Sequence, residues 1–207
     1  MDIADQNPNY IFKYIIIGNA SVGKTNLSFR FIKGNFSEKY HPTIGMEFAV
    51  KNIKIGDKIC RIQLWDTAGQ ECFKSVSRGY YKNSACALIV YDISNRKSFD
   101  NIQTWVEECK NNAPQTLTMV LVGNKSDLED IRTISYEEGK NLATSNNMLF
   151  FETSALNGNN IEKLFYDSAE TIVKKMQDNV YDLNIEDCGI TIKRENNKKD
   201  IQKKKCC

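Results

Sequence analysis

The octapeptide Gly18-Asn19-Ala20-Ser21-Val22-Gly23-Lys24-Thr25 sets two glycines, a lysine and a hydroxyl in the spacing GxxxxGK[ST]. Small residues let a backbone curl until successive N–H groups point at phosphate oxygens, and a helix starting just after adds the positive end of its dipole. In such a loop Ala20, Ser21, Val22 and Gly23 form the lining and Lys24 meets the β and γ oxygens of a nucleotide. Thr25 can put its hydroxyl on Mg²⁺, a hard ion that shares octahedral oxygen coordination among side chains, phosphates and water. The bland alternative is a chance glycine-rich turn. Position argues against it, because the motif follows the strand-like run Tyr14 to Ile17 and opens a helix-like stretch from Lys24 to about Lys33.

Asn124-Lys125-Ser126-Asp127 follows another strand-like run ending near Val122, at the carboxyl end of a sheet, where open α/β sheets bind ligands. The Asp127 carboxylate can accept two hydrogen bonds from the N1–H and exocyclic amine of guanine. Adenine offers an acceptor at N1 and would repel it, so the residue type selects guanine. Ser154-Ala155, at the end of the next strand, can supply a backbone N–H to the guanine oxygen.

Trp65-Asp66-Thr67-Ala68-Gly69-Gln70-Glu71 leaves a further strand. Asp66 reaches the metal from there, through a water, and the N–H of Gly69 can approach a γ-phosphate. Gln70 is neutral and no strong base, but its amide donates and accepts at once and so can orient an attacking water for in-line displacement. Thr43, in the polar segment Lys39-Tyr40-His41-Pro42-Thr43-Ile44-Gly45, is placed to give Mg²⁺ a second hydroxyl when a γ-phosphate is present. His41, the only histidine, reads as an exposed loop residue, since phosphoryl transfer of this kind needs no imidazole.

Three function classes compete. A hydrolase whose output is a change of shape fits best: γ-phosphate contacts with Thr43 and Gly69 would order two segments, and hydrolysis would release them. An ATP-dependent phosphotransferase or motor is opposed by Asn124-Lys125-Ser126-Asp127 and by the lack of a recognisable acceptor or lid domain. A binding module without hydrolysis is opposed by Gln70.

These groups need a scaffold that delivers strand ends to one edge. Strand-like and helix-like blocks alternate along the chain, the pattern of a doubly wound α/β sheet. Phe48 to Ile55, the turn Gly56-Asp57 and Ile59 to Trp65 read as an antiparallel hairpin at the sheet edge. Ala85 to Tyr91, Met119 to Val122 and Leu149 to Glu152 are short β-rich runs. Each precedes an amphipathic stretch, roughly 97 to 111, 135 to 146 and 159 to 177. Beyond Asp178 the periodicity dissolves into Asn, Lys, Asp and Glu. The expected organisation is therefore a flexible N-terminus at 1–10, a domain at 11–178 and a mobile tail at 179–207.

The 207 residues, 41% hydrophobic and 26% charged, suit one such domain plus a tail. The net charge is +2, yet Lys193, Arg194, Lys198, Lys199, Lys203, Lys204 and Lys205 face only Glu195 and Asp200 within residues 193–205. The tail is thus basic and the remainder slightly acidic, which excludes a nucleic-acid-binding face on the domain and points the tail at an anionic surface. Seven cysteines at irregular spacing, with no CxxC pair, suggest neither zinc nor a disulfide framework and fit a reducing cytoplasm. No basic-then-apolar leader and no apolar run near the ~18 residues of a membrane span is seen, so a secreted or transmembrane protein is not expected.

Four motifs in this order, the phosphate loop, Thr43 in Pro42-Thr43-Ile44-Gly45, Trp65-Asp66-Thr67-Ala68-Gly69-Gln70-Glu71 and Asn124-Lys125-Ser126-Asp127, resemble the Ras superfamily and within it the Rab family of vesicle-traffic GTPases. The likeness spans about residues 10 to 177 and the final Cys206-Cys207. It implies a P-loop GTPase G domain with a six-stranded, mostly parallel sheet, one antiparallel edge strand and helices on both faces. It implies a monomer that binds GTP and GDP with Mg²⁺ and hydrolyses GTP slowly until a GTPase-activating protein supplies an arginine. By position it adds Asn26 and Phe36 to the nucleotide site, Phe36 as the aromatic that packs against guanine. Ile44 with the triad Phe48, Trp65 and Tyr80 becomes the effector surface, large apolar groups beside moving loops often marking interfaces.

Tyr80-Tyr81, Ala87 to Ile93 and Val180-Tyr181-Asp182-Leu183-Asn184 before Gly189-Ile190 look like the Rab-two branch, which acts between endoplasmic reticulum and Golgi. Three residues depart from the family pattern: Ser21 where many members have Gly, Cys72 after Glu71, and Leu156 in place of the Lys of the SAK motif, leaving its backbone to contribute. Cys206 and Cys207 resemble the Rab signal for double geranylgeranylation, two chains holding a membrane where one binds it only marginally. Implied partners are an exchange factor, effectors, a prenylation escort and a dissociation inhibitor that shields the lipids. The implied location is the cytoplasmic face of Golgi or endoplasmic reticulum membranes, in exchange with the cytosol.

Overall fold

The structure is a computed structural model and describes residues 3–36, 46–67, 79–181 and 188–193. Its elements, in chain order, are β1 (Tyr10–Ile17), α1 (Lys24–Lys33), β2 (Met46–Ile55), β3 (Lys58–Thr67), β4 (Cys86–Asp92), α2 (Arg96–Asp100), α3 (Ile102–Asn112), β5 (Thr118–Asn124), α4 (Tyr136–Ser145), β6 (Leu149–Glu152), α5 (Ile161–Gln177) and β7 (Ile190–Ile192).

The main sheet path runs β2-β3-β1-β4-β5-β6. β1 pairs in parallel with β3 on one side and β4 on the other, and β4, β5 and β6 continue in parallel. β2 joins β3 antiparallel through the two-residue turn Gly56-Asp57, with Ile55 opposite Lys58 and Gly56 at φ 55, the left-handed backbone that a tight primed turn requires. The expected six strands and antiparallel edge are all present.

Strand side chains alternate between two cores because successive residues point to opposite faces. Phe12, Tyr14 and Ile16 pack with Leu27 and Phe31 of α1 and Leu164 and Phe165 of α5. Ile15 and Ile17 pack on the opposite face with Val106 of α3 and Ala143 of α4. All seven residues of β4 are buried, as a central strand with helices on both faces demands.

Two features go beyond what the sequence pattern displays. The stretch 97–111 is two helices, since the Asn101 N–H bonds back to the Lys97 and Phe99 carbonyls and closes α2 before α3 begins. The sheet also has a seventh strand, beyond the boundary at 178. Tyr10, Ile11 and Phe12 lie opposite Ile192, Thr191 and Ile190 in antiparallel register. Pairing of β1 with β4 starts only at Tyr14, so the first residues of β1 expose a free strand edge that β7 covers. Tyr181 and Cys188 are buried in the first core on the way.

Candidate nucleotide site

Strand order reverses at β1, whose neighbours β3 and β4 continue the chain on opposite sides, and ligands bind beyond the carboxyl ends of strands at such a point. The end of β3 at Asp66 and the loops leaving β1, β5 and β6 bring the described parts of the sequence motifs to this one edge.

The phosphate loop leaves β1 at Gly18. With φ 139, a Cβ at this position would lie 2.2 Å from the Val90 carbonyl oxygen, so only glycine lets the loop start this close to β4. Gly23 has φ 93, and a Cβ there would meet Asn124 Nδ2 at 2.4 Å. Ser21 holds φ 64, a left-handed backbone that explains why glycine would suit the position and that its side chain adopts at some strain. The Nδ2 of Asn124 donates to the Val22 carbonyl at 2.9 Å, and its Oδ1 accepts from Thr153 Oγ1 at 3.2 Å. Asn124 thereby braces phosphate loop, β5 and β6 together.

Lys24 is 6% exposed. Its ammonium donates to the carbonyls of Gly18 at 3.0 Å and Asn19 at 2.8 Å, which folds the side chain back over the loop. Burial brings its pKa down to about 8, with the Asp66 carboxylate resisting the fall. An anion cradled by the loop would give this ammonium a stronger partner than two carbonyls. Asp66, on β3, is 2% exposed. Burial pushes it up to about 6; the Thr25 hydroxyl and Lys24 pull it back, and Glu47 adds to the rise. Neither of its carboxylate oxygens has a partner of normal hydrogen-bond geometry among the described residues.

A buried carboxylate with lone pairs to spare, next to the hydroxyl of Thr25, is the oxygen donor set that a hard cation takes. These residues therefore fit Mg²⁺, with Asp66 and Thr25 the groups here that would hold it. Among the described residues no cluster of three His, Cys, Asp or Glu forms a self-contained metal site, so phosphate oxygens and water must complete such a shell.

On the base side, Lys125 sits at φ 64 and pairs with Asp92 Oδ2 at 2.6 Å, its stem passing over the phosphate loop with Cε 3.9 Å from the Cβ position of Gly23. Asp127 is exposed and accepts a hydrogen bond from the buried Ser154 hydroxyl. Ser154 Oγ accepts in turn from the Asn157 N–H at 3.2 Å, and Ser126 N–H donates to the Thr153 carbonyl at 2.9 Å. One oxygen of Asp127 is thus positioned by the loop that carries Ala155 and Leu156. Ala155 is buried and Leu156 is 50% exposed. Phe36 is half-buried, two residues beyond Gly34, the left-handed cap of α1. Asn26 lies in the first turn of α1.

Phe48 and Trp65 are cross-strand partners, their rings edge to face at 5.1 Å between centroids, with Phe48 52% exposed. Trp65 and Tyr80 both pack against the second core, and the Lys13 ammonium lies 5.2 Å from the Trp65 ring centre. Thr43, Ile44, Gly69, Gln70, Cys206 and Cys207 lie outside the described residues, as do His41 and Cys72.

Two residues at the site carry no motif. Trp105 of α3 donates Nε1–H to Asn19 Oδ1 at 3.0 Å and so holds the phosphate loop from outside. Arg30 of α1 donates to Ala155 and Leu156 of the base loop. Neither has a local sequence signal, because each acts across the fold on a residue far away in the chain.

The sequence profile of the Ras family matches residues 13–174, from within β1 to the last turns of α5. That stretch takes in the greater part of β1, the other five strands of the main sheet path and every loop at the site. The chain therefore belongs to the Ras family, and is a small GTPase that binds guanine nucleotide and hydrolyses GTP as it switches between two nucleotide states.

Proposed function

We propose that this GTPase is of the Rab type, that its GTP form recruits effectors to vesicle-traffic membranes, and that lipids on Cys206 and Cys207 hold it there. The observation that carries the reading is the exposed Phe48 ring, packed edge to face against Trp65 immediately before Asp66 in β3. An aromatic surface one residue from the carboxylate that senses metal and nucleotide can report occupancy to a partner. The Rab-like segments Ile44 to Phe48 and Trp65 to Glu71, and the basic tail ending in Cys206-Cys207, support the same reading.

In this mechanism the phosphate loop and Lys24 bind the β and γ phosphates, Thr25 and Asp66 would hold the ion, and Asp127 selects guanine. When bound, Mg²⁺ neutralises charge on the β and γ oxygens. Thr43 and the Gly69 N–H answer to the γ-phosphate, and Gln70 orients water for in-line attack. Hydrolysis is slow on its own because the motif segments 39–45 and 65–71 contain no arginine; a GTPase-activating protein supplies one. An exchange factor, a prenylation escort and a dissociation inhibitor complete the cycle between Golgi or endoplasmic reticulum membranes and the cytosol.

The test pairs two measurements. Single-turnover hydrolysis with Mg²⁺, with GDP, GTP and ATP as competitors, should give guanine-only binding and slow phosphate release. Full-length protein expressed in cells should fractionate with Golgi or endoplasmic reticulum membranes, and Cys206→Ser with Cys207→Ser should make it cytosolic. Membrane association that survives the double substitution would overturn the anchoring, and ATP competition would overturn the role of Asp127.

A further inference from the structure

Arg30 lies at the end of the second turn of α1, the helix whose first residue is Lys24. Its guanidinium donates to three backbone carbonyls in two different parts of the chain. Nη1 reaches Gly34 at 2.9 Å, Nε reaches Ala155 at 2.8 Å, and Nη2 reaches Leu156. Gly34 caps α1 in the left-handed conformation and leads two residues later to Phe36. Ala155 and Leu156 follow Ser154, whose hydroxyl holds Asp127. Gly158, at φ 85, then turns the loop back so that its Cβ position lies 3.6 Å from Arg30 Nε, and its N–H donates to Ser154 at 2.9 Å.

We propose that Arg30 is a positioning residue for the guanine base: one planar guanidinium fixes the spacing between the Phe36 side and the Ser154-to-Leu156 side of the pocket. The inference rests on the reading of Asp127, Ala155 and Phe36 as base contacts. A guanidinium presents N–H groups in a rigid fork, so three bonds made at once define both distance and angle between the segments they join. A lysine ammonium is a point donor on a flexible stem and cannot span the same carbonyls. Leu156 fits this division of labour. Its side chain is 50% exposed, while its carbonyl is the part that is held. The same helix carries the phosphate ligands at its start and Arg30 near its end. Displacing its first turn therefore disturbs the base pocket as well, which couples loss of phosphate contacts to loss of the base.

The experiment uses full-length protein loaded with a fluorescent GDP and chased with excess GDP, for wild type, Arg30→Lys, Arg30→Gln and Arg30→Ala. Losing charge-assisted bonds should speed GDP release on the order of tenfold or more in all three, without rescue by lysine. Preference for GDP over inosine diphosphate, which lacks the exocyclic amine, should narrow severalfold, and release should change more than single-turnover hydrolysis of bound GTP. Release within twofold of wild type in a folded Arg30→Gln or Arg30→Lys protein would overturn the proposal. So would faster release with unchanged base preference and a lower melting temperature, which would mark a merely structural contact. A wild type that binds ADP as well as GDP would instead overturn the base reading beneath it.

Discussion

The Asn124 amide donates to the Val22 carbonyl at 2.9 Å, joining residues 102 positions apart in the chain. Through that bond the loop that reads the base and the loop that cradles phosphate form one hydrogen-bonded unit, closed on its far side by Thr153. Asn124 is 1% exposed, so water cannot replace a lost partner. Asn124→Ala should leave the Val22 carbonyl unsatisfied at a cost of about 1 to 3 kcal/mol, and GDP release should speed by roughly five- to hundredfold. Asn124→Asp should be worse, since a carboxylate oxygen would face that carbonyl. Stopped-flow release of fluorescent GDP checks this, and a wild-type rate in Asn124→Ala would refute the brace.

Gln70→Leu should leave GTP binding intact and slow single-turnover hydrolysis at least about tenfold, because leucine can neither donate to nor accept from the attacking water. Quenched-flow phosphate release with Mg²⁺ measures it. Unchanged turnover would remove Gln70 from the mechanism.

Glu138 closes a capping box at the start of α4, accepting from the Ser135 N–H and hydroxyl, both at 2.9 Å, while Arg96 donates two bonds to its other oxygen. The Arg96 bonds first, and then those from Ser135, hold its pKa down at about 2. An acid with a lowered folded pKa stabilises the fold above its unfolded value and loses that contribution as pH falls through the folded one. Glu138→Gln should therefore lower the urea midpoint at pH 7, and its difference from wild type should shrink from about pH 4.5 down to pH 2. A difference that is constant across this range would contradict the ionic origin of the contribution.

Gly189 has φ 71, and a Cβ there would sit 2.4 Å from the Ala85 nitrogen and 2.5 Å from the Ser84 carbonyl carbon. Backbone cannot yield as a flexible side chain does, so Gly189→Ala should lift β7 from β1. Loss of the strand pairing and of the burial of Cys188 should cost about 1 to 3 kcal/mol, or several degrees in melting temperature. Limited proteolysis should then cut between residues 181 and 193, with nucleotide binding retained. Resistance to protease in a destabilised variant would mean that β7 stays docked.

β7 also marks where sequence reading fails. Its three residues, Ile190, Thr191 and Ile192, are too few to show a period among polar neighbours, and they have a strand to join only because β1 projects past β4. The phosphate loop, by contrast, is legible because its glycines answer to local backbone geometry, at Gly18 and Gly23 alike. Strands β4 and β6 are legible because burial on both faces or a β-rich run stands out within a few residues. Asn124 belongs to the base motif in sequence, yet its two polar groups are spent on Val22 and Thr153, a tertiary role that no local pattern displays. Arg30 and Trp105 belong to the same class.

Asp66 allows a test in which stability and function move in opposite directions. Its carboxylate is buried with neither oxygen partnered at normal geometry among the described residues, and burial lifts its pKa from 3.8 to about 6. A rise of that size means that keeping the group ionised near pH 7.5 costs the ion-free fold on the order of 3 kcal/mol. A residue retained for packing alone would not carry such a penalty, whereas a ligand for a cation recovers it on binding. Asp66→Asn removes the charge and keeps the shape, so in EDTA at pH 7.5 the variant should melt several degrees above wild type. With Mg²⁺ and GDP the order should reverse, because the asparagine gives the ion a weaker oxygen and the Mg²⁺ dependence of nucleotide retention should largely vanish. Thermal melts of both proteins with and without Mg²⁺ and GDP decide it. A variant that melts below wild type in EDTA would show that the Asp66 charge is already satisfied by Thr25 and Lys24, and the case for Asp66 as a metal-site residue would lose its physical basis.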